Sequence, residues 1–136
     1  MPFEPPPAAH AAALWSGLLI ILMLLLSVLV TRQRRAHDIA EGHGDEPRLT
    51  AAVRAFGNAA EYVPAGIGGL VLLALAGAMP LVVHLAGVSL FAGRVIHAVG
   101  LSRSAGTSWF RSIGMMVTWV SYLFTAVALL VYAIPS

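Results

Sequence analysis

The sequence predicts an all-α integral membrane protein, a single bundle of four transmembrane helices. Composition is the first sign. Of 136 residues, 59% are hydrophobic and only 10% are charged, against about 25% charged in soluble domains. The second sign is the spacing of uncharged runs. Residues 11–30, 62–93 and 112–134 carry no charge, and about 20 apolar residues suffice to cross a bilayer. The third is the basic set: all eight basic residues are arginine. Arginine holds its charge near lipid and grips carboxylates with two parallel donors. The net charge of +2 is too small to point to nucleic acid. With no cysteine, disulfides and a cysteine nucleophile are excluded, so thiol chemistry needs a thiol from a ligand.

Each element follows in order. MPFEPPPAAH reads as a proline-rich leader, and the first span is placed at about residues 11–31. It does not read as a typical signal peptide, because positive charge is missing before it and the apolar core is too long. TRQRRAHDIAEGHGDEP, residues 31–47, reads as a polar loop that begins with three arginines. The uncharged run 62–93 is too long for one span, and AGAMP breaks it with glycine and proline. The second span is therefore placed at about 48–77 and the third at about 80–101, with a polar connection over 102–109 and the fourth span at about 110–134. The basic residues cluster in or beside the first and third connections. By the positive-inside rule these lie in the cytoplasm, with both termini outside.

The second span opens with VRAFGNAAEYVPAG. At about 100° per residue, Arg54, Asn58, Glu61 and Tyr62 fall within one arc of roughly 100°, with Phe56, Val63 and Ile67 on the other side. Small residues continue the polar face as Ala65, Gly68 and Gly69, a pattern that lets another helix or a ligand approach closely. Pro64 cannot donate to Ala60 and frees a carbonyl beside the cluster. Counted from the AGAMP turn at about 1.5 Å per residue, Glu61 and Arg94 lie at about 24 and 21 Å, and Arg54 at about 35 Å. His97 follows Arg94 by one turn. Glu61 and Arg94 alone are compatible with a structural ion pair; Arg54, Asn58, Tyr62 and His97 around them point to a ligand pocket.

The chemistry of the pocket suits a small zwitterionic or di-acid ligand. Arginines serve carboxylates, a carboxylate serves an amine, and an amide and a phenol serve peptide groups. Adjacent apolar helix surface admits a lipophilic partner from the bilayer. An arginine beside a thiol favours the thiolate. Elsewhere, His37, Asp38, His43 and Asp45 fit no metal motif. His84 is expected to pack between helices, bonded to a carbonyl. Trp15, Trp109 and Trp119 read as packing or interfacial aromatics.

RAFGNAAEYVP, residues 54–64, resembles the R-x-x-x-N-x-x-E-[YN]-x-P signature on the second helix of the MAPEG family. These are membrane-associated proteins of eicosanoid and glutathione metabolism, including microsomal glutathione transferases. RQRRAH resembles the basic end of that family's first helix, and FAGRVIHAVGLSRSAG its third. The resemblance covers nearly the whole chain and is that of a bacterial inner-membrane member. It implies a homotrimer with glutathione as co-substrate, bound between subunits on the cytoplasmic side. It implies Arg34, Arg54, Asn58, Glu61, Tyr62, Arg94 and His97 as glutathione contacts. It implies Arg111 as the catalytic, thiolate-stabilising arginine, matched across a small length difference in the preceding loop. The implied activity is conjugation or reduction of lipophilic electrophiles. One position departs: several enzymatic members carry tyrosine one turn after His97, where this chain has Leu101. The alternative is a non-enzymatic scaffold that binds lipid or glutathione on the same fold.

Overall fold

A bilayer-spanning chain must satisfy its backbone polar groups within each segment, so apolar runs of this length fold as helices. The computed structural model describes residues 4–103 and 108–134. Four helices follow in order: α1 (Pro7–His37), α2 (Pro47–Leu75), α3 (Pro80–Arg103) and α4 (Trp109–Tyr132). All four are long and apolar enough to cross a membrane, as the composition predicted.

The first helix is longer at both ends than its uncharged run. It begins at Pro7 rather than Ala11, because proline is tolerated at the first helical position, where its missing N–H has no partner to lose. It ends at His37, so Arg32, Arg34 and Arg35 ride on the helix instead of opening a loop. Charge ends the apolar span, but TRQRRAH contains nothing that breaks a helix. The break comes at Asp38, which is left-handed at φ 53°, and Ile39 N–H caps the Arg34 carbonyl at 3.0 Å. The true connection is residues 38–46. Arg34 organises it by donating to the carbonyls of Ala40 (3.2 Å) and Gly42 (3.0 Å). His37 approaches Glu46 at 3.4 Å across its base.

The AGAMP turn lies where glycine and proline require it. Gly77 takes φ 76°, and Ala76 and Ala78 N–H close the end of α2 on Leu72 and Leu73 carbonyls at 2.8 and 3.0 Å. Tyr132, at the far end of α4, accepts from Met79 N–H at 3.1 Å. At the opposite end, Ser108 caps α4 by accepting from Arg111 N–H at 3.3 Å. Half of the polar connection assigned to 102–109, residues 104–107, falls outside the described residues.

α3 touches every other helix, whereas α1 and α4 do not meet. The outer faces of α1 and α4 expose large apolar side chains such as Leu24, Leu25, Trp119, Leu123 and Leu130. These suit lipid, which is as apolar as they are, so close packing rather than water exclusion must join the helices. The α3–α4 seam supplies it. A Cβ on Gly93 would meet Thr118 Oγ1 at 2.7 Å and Thr118 N at 2.9 Å, and one on Gly114 would collide with the backbone of His97. On α2, the close approaches occur at Gly66, against Leu90, and Gly69, against Thr125. The sequence had marked Gly68 with Gly69, yet Gly68 faces open space. Among the described residues, His84 bonds no carbonyl. Its Nδ1 accepts the indole N–H of Trp15 at 3.0 Å, and Trp15 packs over Gly87.

Gly114→Ala is therefore expected to destabilise the protein by about 1–3 kcal/mol, because the obstructing atoms are backbone and cannot move aside. Gly68→Ala should be close to neutral. Thermal unfolding of both variants in detergent checks this.

Candidate functional site

α2 turns its buried face, Ala55, Ala59, Val63 and Leu70, toward the core. The polar arc is therefore graded. Asn58 and Tyr62 lie on its inner flank and are half-buried, while Arg54 and Glu61 lie outside them and are exposed. At the end where α1 and α3 finish and α2 and α4 start, the arc faces α3 and α4 across a cavity of about 470 Å³. Arg54, Asn58 and Glu61 line it from α2, His97 and Leu101 from α3, and Arg111 from α4. A second cavity, of about 320 Å³, shares Arg54, Leu101 and Arg111 and reaches Asp45 of the α1–α2 connection. A third, of about 350 Å³, shares His97 and Arg111 and is walled by Met115, Met116 and Trp119.

Arg94 lies beneath the first cavity, only 1% exposed. Its Nη2 donates to Asn58 Oδ1 at 2.8 Å, and its guanidinium carbon stands 5.1 Å from the centroid of the Tyr62 ring. Its Nε and Nη1 have no partner among the described residues. A desolvated cation–π contact contributes about 2 kcal/mol and a hydrogen bond from a charged group about 1.5–3 kcal/mol. Each buried donor without a partner costs about 1–3 kcal/mol. The two sides are comparable, so Arg94 is a costly residue to keep in an apolar bundle. Glu61 does not neutralise it: the ion pair compatible with their matched depth does not form. Matched depth fixes height along a helix, not azimuth, and Glu61 points away from the core.

Neighbouring groups hold this arrangement. The Tyr122 hydroxyl donates to the Tyr62 carbonyl, and the two rings meet edge to face with centroids 5.6 Å apart. The His97 ring, through Nδ1, pairs with the Arg111 carbonyl at 2.9 Å, which ties the end of α3 to the start of α4. Deep in the bundle, Thr118 and Ser121 satisfy their hydroxyls on the Gly114 (2.8 Å) and Ala86 (3.0 Å) carbonyls.

Of the residues singled out in the sequence, the fold gathers Arg54, Asn58, Glu61, His97 and Arg111 on one cavity. It sets Arg94 and Tyr62 behind them, and it leaves Arg34 apart, engaged with its own connection. Tyr122 carried no motif signal, because a lone tyrosine in an apolar run does not reveal which helix it will touch. Asp45 was missed for a related reason, since it reaches the second cavity only through the path of the connection. Among the described residues, no group of three His, Asp or Glu side chains stands close enough to hold a metal ion.

Fold and cavity together define a class: a small four-helix membrane protein with an arginine-lined, partly apolar cavity at one end of its bundle. The MAPEG family model matches residues 12–131, and the chain belongs to the MAPEG family. It is similar to the inner membrane protein YecN of Escherichia coli strain K12, with 37% identity over 103 residues, covering 76% of this chain and 77% of the relative. The protein of the same name from Escherichia coli O6:H1 matches equally well.

Tyr122→Phe removes the hydroxyl that steadies Tyr62. The expected cost is about 1 kcal/mol of stability, read as a lowered unfolding temperature in detergent, with Tyr132→Phe as the comparison at the opposite end of the bundle.

Proposed function

We propose that the protein is a glutathione-dependent transferase or peroxidase of a bacterial inner membrane, acting on lipophilic electrophiles. In this reading the arginine-bearing end faces the cytoplasm and the site is completed between neighbouring copies in a homotrimer. The observation that carries it is the convergence of Arg54, Asn58, Glu61, His97 and Arg111 on one cavity. Glutathione presents two carboxylates, an ammonium, two peptide groups and a thiol. Arg54 serves a carboxylate, Glu61 the ammonium and Asn58 a peptide or carboxylate oxygen. Arg34, turned away from the cavity of its own chain, is available to a neighbour's. The arginine-rich end matches the positive-inside pattern, and the family supplies the glutathione chemistry. The name of the Escherichia coli relative agrees with the membrane assigned here.

Arg111 sits where all three cavities meet. A thiol beside its guanidinium loses its proton to water more readily, because the positive charge stabilises the thiolate. The sulfur then attacks the electrophilic carbon, an S–C bond forms, and the leaving group departs with its electron pair. With a hydroperoxide, two glutathiones are oxidised to the disulfide while the O–O bond is reduced to an alcohol and water. The Met115, Met116 and Trp119 wall, next to Arg111, offers the electrophile an apolar seat reached from lipid.

Leu101 favours a second reading. It lines two of the cavities and cannot donate a hydrogen bond where several enzymatic members have tyrosine. On this reading the protein binds glutathione or lipid and does no chemistry.

Glutathione titration of the purified protein separates these readings. The wild type is expected to bind, and Arg54→Ala to weaken binding by about ten- to a hundredfold, the loss of one hydrogen-bonded charge. Arg111→Ala should keep most of the affinity but lose the thiolate absorbance and lower conjugation of a chloronitrobenzene by about a hundredfold. Binding without turnover in the wild type selects the scaffold reading, and absence of both sinks the glutathione proposal.

A further inference from the structure

The family resemblance groups Arg94 with the ligand contacts, yet its side chain lines none of the three cavities around Arg111. Asn58 is the residue that reaches both places. It forms part of the 470 Å³ cavity wall, and its Oδ1 accepts from Arg94 Nη2 at 2.8 Å. A guanidinium has donors only, so the amide end facing it must be the oxygen. The amide nitrogen, with its two N–H donors, is then the end left for the cavity.

The guanidinium cannot easily release that oxygen. It is almost fully buried and stacked on Tyr62, and Tyr62 is in turn held through its carbonyl by Tyr122. Two of its nitrogens have no acceptor among the described residues, so turning away from Asn58 would strand a third donor. An asparagine on an unconstrained cavity wall can flip and offer either a donor or an acceptor. This one is held in a single sense.

We propose that Arg94 is a positioning residue that fixes the Asn58 amide with its nitrogen toward the cavity, so that the site demands a hydrogen-bond acceptor from the ligand at that point. The identity of the ligand rests on the glutathione reading, in which the group over Asn58 is a carboxylate or peptide carbonyl. The direction of the amide does not.

Two measurements on Asn58→Asp and Arg94→Met, singly and combined, test this. The first is thermal unfolding in detergent without ligand. An aspartate keeps an oxygen toward Arg94 and makes a charge-assisted bond, so Asn58→Asp should unfold at a higher temperature than wild type. The gain should vanish in the Arg94→Met background. If Arg94→Met does not fold, Arg94→Gln replaces it, and the gain should shrink to less than half. The second measurement is glutathione titration. Asn58→Asp should raise Kd at least tenfold despite its stability, because a carboxylate oxygen now faces an acceptor. Arg94→Met should raise Kd and KM while leaving kcat within about twofold. An Asn58→Asp effect on unfolding that is independent of Arg94 overturns the proposal, whatever glutathione does. A stable Asn58→Asp that binds glutathione as the wild type does overturns it too. If the wild type binds no glutathione, the proposed function fails, while the unfolding comparison still decides whether Arg94 holds the amide.

Discussion

Arg94 is a permanent cation in the interior of a membrane bundle, and much of the surrounding structure can be understood as the means of keeping it there. A charge deep in an apolar bundle is costly unless every nearby polar group is used. Asn58 gives it an oxygen, Tyr62 an aromatic face and Tyr122 secures Tyr62. Four residues from three helices thus depend on one another. Because Arg94 sits on α3 and its partners Asn58 and Tyr62 on α2, the two helices that each contact all the others, the polar cluster and the packing centre coincide.

That coincidence requires short distances between helices. Lipid exerts no preference for burying leucine against leucine, so the bundle relies on backbone approach at small residues. Gly93 and Gly114 bring α3 and α4 together beside Thr118, and Gly66 and Gly69 bring α2 close to Leu90 and Thr125. The same closeness allows the His97 ring to meet the Arg111 carbonyl. Packing and site geometry are therefore one problem here: widening the α3–α4 seam would also move Arg111 relative to α2. The outer faces of α1 and α4 are subject to no such demand and remain apolar and open.

The gradient along the polar arc of α2 explains how a single helix face serves two purposes. Its inner members, Asn58 and Tyr62, engage Arg94, and its outer members, Arg54 and Glu61, are exposed toward the cavity side. Asn58 stands at the boundary and belongs to both sets. The cavities around Arg111 join polar walls to a methionine–tryptophan wall, an arrangement suited to a polar molecule meeting an apolar one at the edge of a bilayer.

By itself the sequence determined the number of helices, the place of the AGAMP turn and the common face of Arg54, Asn58, Glu61 and Tyr62. Those features depend on local quantities: the length of uncharged runs, the backbone preferences of glycine and proline, and the 3.6-residue period. The family resemblance also named Arg54, Asn58, Glu61, His97 and Arg111, which share one cavity, along with Arg34, Tyr62 and Arg94, which do not line it. Only the tertiary structure decided which partners they take. It extended α1 past its apolar run, because charge ends a membrane span but not a helix. It gave Arg94 to Asn58 and Tyr62 instead of Glu61, turned Arg34 onto its own connection, and brought Tyr122 and Asp45 to the site. Helical periodicity gives an azimuth within one helix, but a contact also depends on the rotation and separation of the facing helix. Those are set by the glycine seams of the assembled bundle.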